Sequence, residues 1–152
     1  MIQRVQTLFL IAIVICMTLM NFFPVWTEHG PDGSMLVMKT FGATQGGEVL
    51  AGWYFVPGIL AVLAALVALW EIFSYKNRLT QVKLGALNAL LITGAVVTAI
   101  YFIYQLEMLH PDTQGRYGIG LGFPMISLVC NLLANRFIRR DEKLVRSVDR
   151  IR

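Results

Sequence analysis

Val49–Trp70 reads VLAGWYFVPGILAVLAALVALW, 22 residues without a charge. At about 1.5 Å of rise per helical residue the run reaches roughly 33 Å, enough to cross the hydrocarbon core of a bilayer. Three further stretches, Val5–Thr27, Leu84–Leu106 and Tyr117–Asn135, are equally free of charge. The last of them is the shortest, and its 19 residues still reach roughly 28 Å. The four runs predict an all-α membrane protein, a four-transmembrane-helix bundle with spans at about 5–23, 53–75, 83–106 and 117–137.

Composition agrees. Of 152 residues, 57% are hydrophobic and 14% charged, against roughly 25% charged in soluble domains. Little chain is left for a soluble unit, so residues 1–137 are expected to form one transmembrane domain and residues 138–152 a basic amphipathic cytoplasmic tail. Arg4 followed by the apolar run Leu8–Met20 has the outline of a secretory signal. The small residues that cleavage requires do not follow, since Asn21, Phe22, Phe23 and Pro24 come next, and Ile15 before Cys16 spoils a lipoprotein site. The first run therefore reads as an anchor.

Lys and Arg give the orientation. Eleven of the 13 fall on one side if the N-terminus is cytoplasmic: Arg4, then Lys76, Arg78 and Lys83, then seven in the tail, leaving Lys39 and Arg116 outside. Enrichment of short cytoplasmic segments in these residues predicts both termini inside. The net charge of +4 is then a topology signal and an attraction to anionic lipid, not a nucleic-acid footprint. Trp26, Trp53, Tyr54, Tyr101, Tyr104 and Tyr117 fall at the outer ends, with Trp70 and Tyr75 at an inner one, where amphipathic rings suit the headgroup level.

The first connection is the long one. Val25–His29 and Ser34–Phe41 are β-prone and are separated by Gly30, Pro31, Asp32 and Gly33, which predicts a small extracytoplasmic β-hairpin between helices 1 and 2 in the loop 24–52. Two strands alone are marginal in water, so the hairpin should rest on the bundle through Trp26, Met35, Val37 or Leu36. Gly42–Gly52 reads as a flexible return, and Pro57 as a residue of the first turn of the second helix.

Polar residues inside the runs ask for partners. Asn88 lies five residues beyond Lys83 and Asn131 five before Arg136, so antiparallel third and fourth helices would bring them to equal depth and into a structural polar pair, hydrogen-bonded directly or through a shared water. Glu71 follows Trp70 and should snorkel to the inner interface, pairing with Arg78, Lys83 or the tail. Ala61, Ala64, Ala65 and Ala68, then Gly85, Ala89, Ala95 and Ala99, mark close helix contacts, and Gly118 and Gly122 form a G-x-x-x-G. Gly118, Gly122, Arg139, Arg140, Lys143 and Arg146 make up the expected interaction surface, with the tail lying on lipid or docking a cytosolic partner.

No catalytic, cofactor-binding or metal residue emerges. His29 and His110 share the outer side with Glu28, Asp32, Glu107 and Asp112, but lack the spacing that puts two zinc ligands on one helix face. Met35, Met38 and Met108 read as packing rather than as copper ligands. Cys16 and Cys130 lie at different depths, and neither a C-x-x-C nor a G-x-S-x-G is present. These absences lead to the expectation of a protein that is not an enzyme and uses no cofactor.

The opening Met1-Ile2-Gln3-Arg4-Val5-Gln6-Thr7, followed by an apolar helix, resembles an uncharacterised four-span inner-membrane family of Bacteroidota, domain of unknown function 4293, whose length and span pattern cover the whole chain. The resemblance implies a bacterial inner membrane and carries over no site residue. The topology is also similar to that of claudin-type bundles, four helices with a small outer sheet from the first loop, although the claudin cysteine pair and tryptophan motif are missing. The expected role is that of an accessory or scaffold subunit binding other membrane proteins or its own copy, with no nucleic-acid partner. The alternatives are binding of a lipid or hydrophobic small molecule beneath the hairpin, near Thr18, Asn21, Tyr101 and Gln105, or metal handling at the outer face.

Overall fold

The computed structural model describes residues 5–30, 33–74, 78–109 and 115–149, the side chains of Arg78 and of residues 141–149 excepted. The helices are α1 (Val5–Met20), α2 (Val56–Phe73), α3 (Arg78–Glu107) and α4 (Gly122–Asp149). Three helical stretches, Val56–Phe73, Leu79–Glu107 and Ile119–Arg140, are long and apolar enough to cross a membrane, whereas α1, at 16 residues, is a shorter apolar helix. Each helix packs on two others, α1 on α4 and α2, and α3 on α2 and α4, closing a four-sided arrangement.

The core follows from helical periodicity. Leu10, Ile13, Met17 and Met20 of α1 recur every three or four residues and meet Ala61, Ala64 and Ala68 of α2, with Ile92 and Ala95 of α3 and Ala134 of α4. Large side chains on one helix thus fill against small ones on the next, and the alanine stripe is consumed inside the fold. Pro57 sits in the first turn of α2, where its missing N–H leaves no helical bond unmade.

The β structure exceeds the expected hairpin, and the fold is not all-α. β1 (Trp26–His29) and β2 (Met35–Lys39) pair antiparallel with Trp26 opposite Met38 and Glu28 opposite Leu36. Three more strands join them. The segment expected as a flexible return folds into β3 (Gly42–Gln45) and β4 (Glu48–Val49), linked through Gly46 (φ 60°) and Gly47 (φ 94°). Positive φ at both central residues matches the twist of a two-residue hairpin, and glycine takes it without strain. β5 (Arg116–Tyr117) pairs with the far side of β1, giving a five-stranded antiparallel sheet in the order β4-β3-β2-β1-β5.

Alternation turns one face of the sheet onto the helix ends. Trp26, Leu36, Met38 and Ala43 are buried against Ala99, Ile103 and Leu106 of α3. Of the four side chains expected to turn down, Trp26 and Leu36 do so; Met35 points outward and Val37 is half-buried. Backbone bonds fix the junction: Gly58 N–H donates to Thr40 O (2.8 Å), Gly118 N–H to Val25 O (2.8 Å) and Gly120 N–H to Pro24 O (3.0 Å).

α4 runs unbroken as far as Asp149, through most of the stretch expected as a separate tail, whose residues 150–152 lie outside the described ones. Phe137 stacks on Phe9 of α1 with ring centroids 5.8 Å apart, and Ile138 is buried, so the extension begins as part of the helix packing.

Candidate functional site

At the end of the helices remote from the sheet, the core stripes carry polar side chains. On α2, Ala61, Ala64 and Ala68 are continued at the same spacing by Glu71, and all four are buried. That periodicity, rather than closeness to the helix end, decides where Glu71 points. It does not reach the surface as expected: it is fully buried, and neither carboxylate oxygen has a hydrogen-bond partner among the described residues. Gln81, also buried, donates from Nε2 to the Glu71 backbone carbonyl at 3.1 Å, tying the start of α3 to the end of α2. Gln6 of α1 is buried at the same end.

Asn88 and Asn131 are both fully buried, but the mutual hydrogen bond is not made. Asn131 Nδ2 donates instead to the backbone carbonyl of Gly85 at 2.9 Å. Without a side chain at Gly85 the two helices approach closely there, and a Cβ at that position would run into the Asn135 amide. A backbone oxygen one turn before Asn88 is therefore nearer to Asn131 than the Asn88 side chain. Asn131 Oδ1, Asn135 Oδ1 and both polar atoms of Asn88 have no partner among the described residues.

Grooves open on the helix surface at either end of the bundle. One, of about 760 Å³, runs between α3 and α4; Gly85, Asn131 and Asn135 form its back and Arg136, Arg139 and Arg140 its rim. Arg139 and Arg140 of the expected interaction surface thus line a cavity, whereas the Lys143 and Arg146 side chains lie outside the described residues. Another, of about 380 Å³, lies between α1 and α2 below the sheet, lined by Val14, Thr18, Asn21, Phe41 and Leu66 among others. Its polar groups are engaged. Thr18 Oγ1 donates to Val14 O (2.7 Å), Asn21 Nδ2 to Met17 O (2.9 Å), and Asn21 Oδ1 accepts from Thr40 Oγ1 (3.0 Å). Gln105 and Tyr101, expected beside them, are bonded to each other at an exposed position (2.8 Å) and do not line this groove.

The remaining expectations divide. Gly118 is used internally, since a Cβ there would collide with the Pro24 carbonyl, while a Cβ at Gly122 would meet nothing within 4 Å. Trp26, expected at headgroup level, is buried, and its Nε1 has no partner among the described residues; Trp53, Tyr101, Tyr104 and Tyr117 are exposed. Cys16 and Cys130 are free thiols. His29 is exposed on β1, His110 and Asp112 lie outside the described residues, and among those described no three His, Cys, Asp or Glu side chains gather. What the surface offers is apolar walls with amide or guanidinium edges, the chemistry for holding an amphiphile. Sequence reasoning missed both the α3–α4 groove and the burial of Glu71. The signals were there in Gly85 facing Asn135 and in the seven-residue step from Ala64 to Glu71.

Compared with known proteins, residues 2–151 match the family model described as Domain of unknown function (DUF4293). No curated protein matches the chain.

Proposed function

The chain belongs to the DUF4293 family, and because that membership brings no activity with it, we propose a role from the architecture: a non-enzymatic integral membrane protein that serves as an accessory or scaffold subunit for other membrane proteins. All four helices cross the bilayer of a bacterial inner membrane, both termini are cytoplasmic, and the sheet lies on the other side. Support for the membrane comes from the surface. Only about a third of each long apolar window is buried, and exposed residues such as Leu66, Leu90, Val97, Val129 and Leu132 need a hydrocarbon surround. Four helices capped by a sheet drawn mostly from the first connection also favour the claudin-like topology.

The observation that carries the accessory role is the filled core. Leu10, Ile13, Met17 and Ile92 are fully or almost fully buried against the alanines of α2, and α2 and α3 run unbroken, whereas transporters place broken helices around a central cavity. A partner would meet the outer surface: the open side of Gly122, the sheet edges at Val49 and Tyr117, or the basic extension bearing Arg139 and Arg140. Crosslinking followed by extraction in mild detergent at native abundance should recover a defined complex. Recovery of monomer alone would rule the role out.

A second reading, binding of a lipid or hydrophobic small molecule near the sheet, is favoured by the α1–α2 groove with Thr18 and Asn21 at its edge. Bound lipid lost on filling that groove with Ala65→Phe would support it.

A further inference from the structure

We propose that the groove between α3 and α4 is a binding site for an anionic phospholipid with a hydroxyl-bearing headgroup, its phosphate against Arg136, Arg139 and Arg140. The site is distinct from the α1–α2 groove, lies at the opposite end of the helices, and rests on the membrane reading given above. Three observations converge on it. Arg136, Arg139 and Arg140 stand at positions i, i+3 and i+4 of one helix, so they share a face, and all three border the same cavity. Guanidinium groups pair with phosphate through two parallel N–H···O bonds and hold it with direction as well as charge. The cavity wall between them and the body of the helices is apolar, with Val82, Ala86, Ala89 and Leu132, which suits the start of an acyl chain.

The third observation selects the headgroup. Asn131 is fully buried and its Nδ2 is committed to Gly85 O, leaving Oδ1 as an acceptor without a donor among the described residues; Asn135 is half-buried, and its Oδ1, a buried atom beside Gly85, also has no donor among them. Buried acceptors in a native fold ordinarily have a partner. A choline headgroup has no O–H or N–H donor to give them, whereas a glycerol headgroup has two hydroxyls. Phosphatidylglycerol therefore matches the cationic rim and the amide back together, whereas phosphatidylcholine brings a phosphate whose charge its own ammonium offsets and no donor for the amides.

The test uses the full chain reconstituted into phosphatidylcholine vesicles containing a minor fraction of phosphatidylglycerol. The bilayer-resident protein is released in mild detergent, and its bound lipids are counted by native mass spectrometry. Phosphatidylglycerol should be retained over phosphatidylcholine by about tenfold or more, and each Arg→Gln change at 136, 139 and 140 should cut that preference by roughly fivefold, the effect of one basic residue at a lipid surface. Ala86→Trp, which fills the groove from an exposed position and leaves every charge in place, should remove bound lipid. Arg116→Gln at the sheet end should change nothing, and excess glycerol phosphate should not displace the lipid. Equal retention of the two lipids, retention unchanged by Ala86→Trp, or full displacement by glycerol phosphate would each overturn the site. A wild-type chain that failed to enter the vesicles would overturn the membrane reading with it, whereas insertion without lipid preference defeats this proposal alone.

Discussion

The two ends of the helices are built by different means. At the sheet end, elements meet backbone to backbone: Gly58 on Thr40, Gly118 on Val25 and Gly120 on Pro24, each through a hydrogen bond of 2.8–3.0 Å and each with a glycine at the point of approach. At the remote end, side chains make the contacts, and much of their hydrogen-bonding capacity is unused. Glu71, Asn88, Asn131 and Asn135 carry acceptor or donor atoms without partners among the described residues, as does Trp26 at its Nε1 at the sheet end. Backbone contacts leave no freedom to adjust, so the sheet end is fixed by its geometry. Uncommitted buried polar groups cost stability, so the two ends should answer differently when their polar groups are removed.

The sharpest way to break this comparison is Gly118→Ala. The added Cβ would meet a carbonyl that itself accepts from Gly120, so relief requires moving the junction of sheet and helices. A loss of about 2–4 kcal/mol is expected, read as a lowered unfolding midpoint in mild detergent. Gly122→Ala, four residues on and facing open space, should alter stability by less than about 1 kcal/mol. Similar midpoints for the two variants would mean that the sheet is only loosely attached. The pair also separates the two glycines of the G-x-x-x-G, one committed within the fold and one available to a partner.

At the other end the sign reverses. Glu71→Leu replaces a buried carboxyl group that has no partner among the described residues with an apolar one and should raise stability by about 1–3 kcal/mol, and Asn88→Leu by about 1–2 kcal/mol. Both follow from the same unfolding curves. A fall for either variant would show that its polar group is held by a bound water or cation, and the contrast between the ends would narrow.

The helices were legible because each apolar run exceeds what any soluble element needs, and the first hairpin because Gly30 and Gly33 stand between two β-prone runs. Strands β3 and β4 were not. Gly42–Gln45 and Glu48–Val49 have little apolar alternation, and they form because β2 offers an open edge and Gly46-Gly47 closes the turn, a tertiary effect that overrides weak local preference. β5 is two residues long and is recruited across the sequence by β1. For the candidate site, the guanidinium groups were legible as charge, but the cavity was not, because it depends on which helix faces Gly85 presents to Asn131 and Asn135. Glu71 illustrates the same point: its place beside the helix end argued for a side chain at the interface, and the period of the alanine stripe buries it instead, while the Arg78 side chain expected to pair with it lies outside the described residues.

The smallest expected effect tests whether side chains share in holding the sheet. Thr40 is buried at the end of β2, and its hydroxyl donates to Asn21 Oδ1 just beyond α1, a side-chain bond that ties the sheet to the helix. Thr40→Val keeps the shape and removes the donor, leaving a partly buried amide oxygen unbonded. The expected cost is about 0.5–1.5 kcal/mol. Thr18→Val is the control, because Thr18 is exposed and bonds only to the carbonyl of Val14 in its own helix, so its loss should be near zero. If both variants match the wild type, the Gly58, Gly118 and Gly120 backbone bonds hold the sheet unaided. If Thr40→Val instead costs as much as Gly118→Ala, Asn21 anchors the sheet as firmly as the glycines do, and the sheet end relies on side chains no less than the remote end.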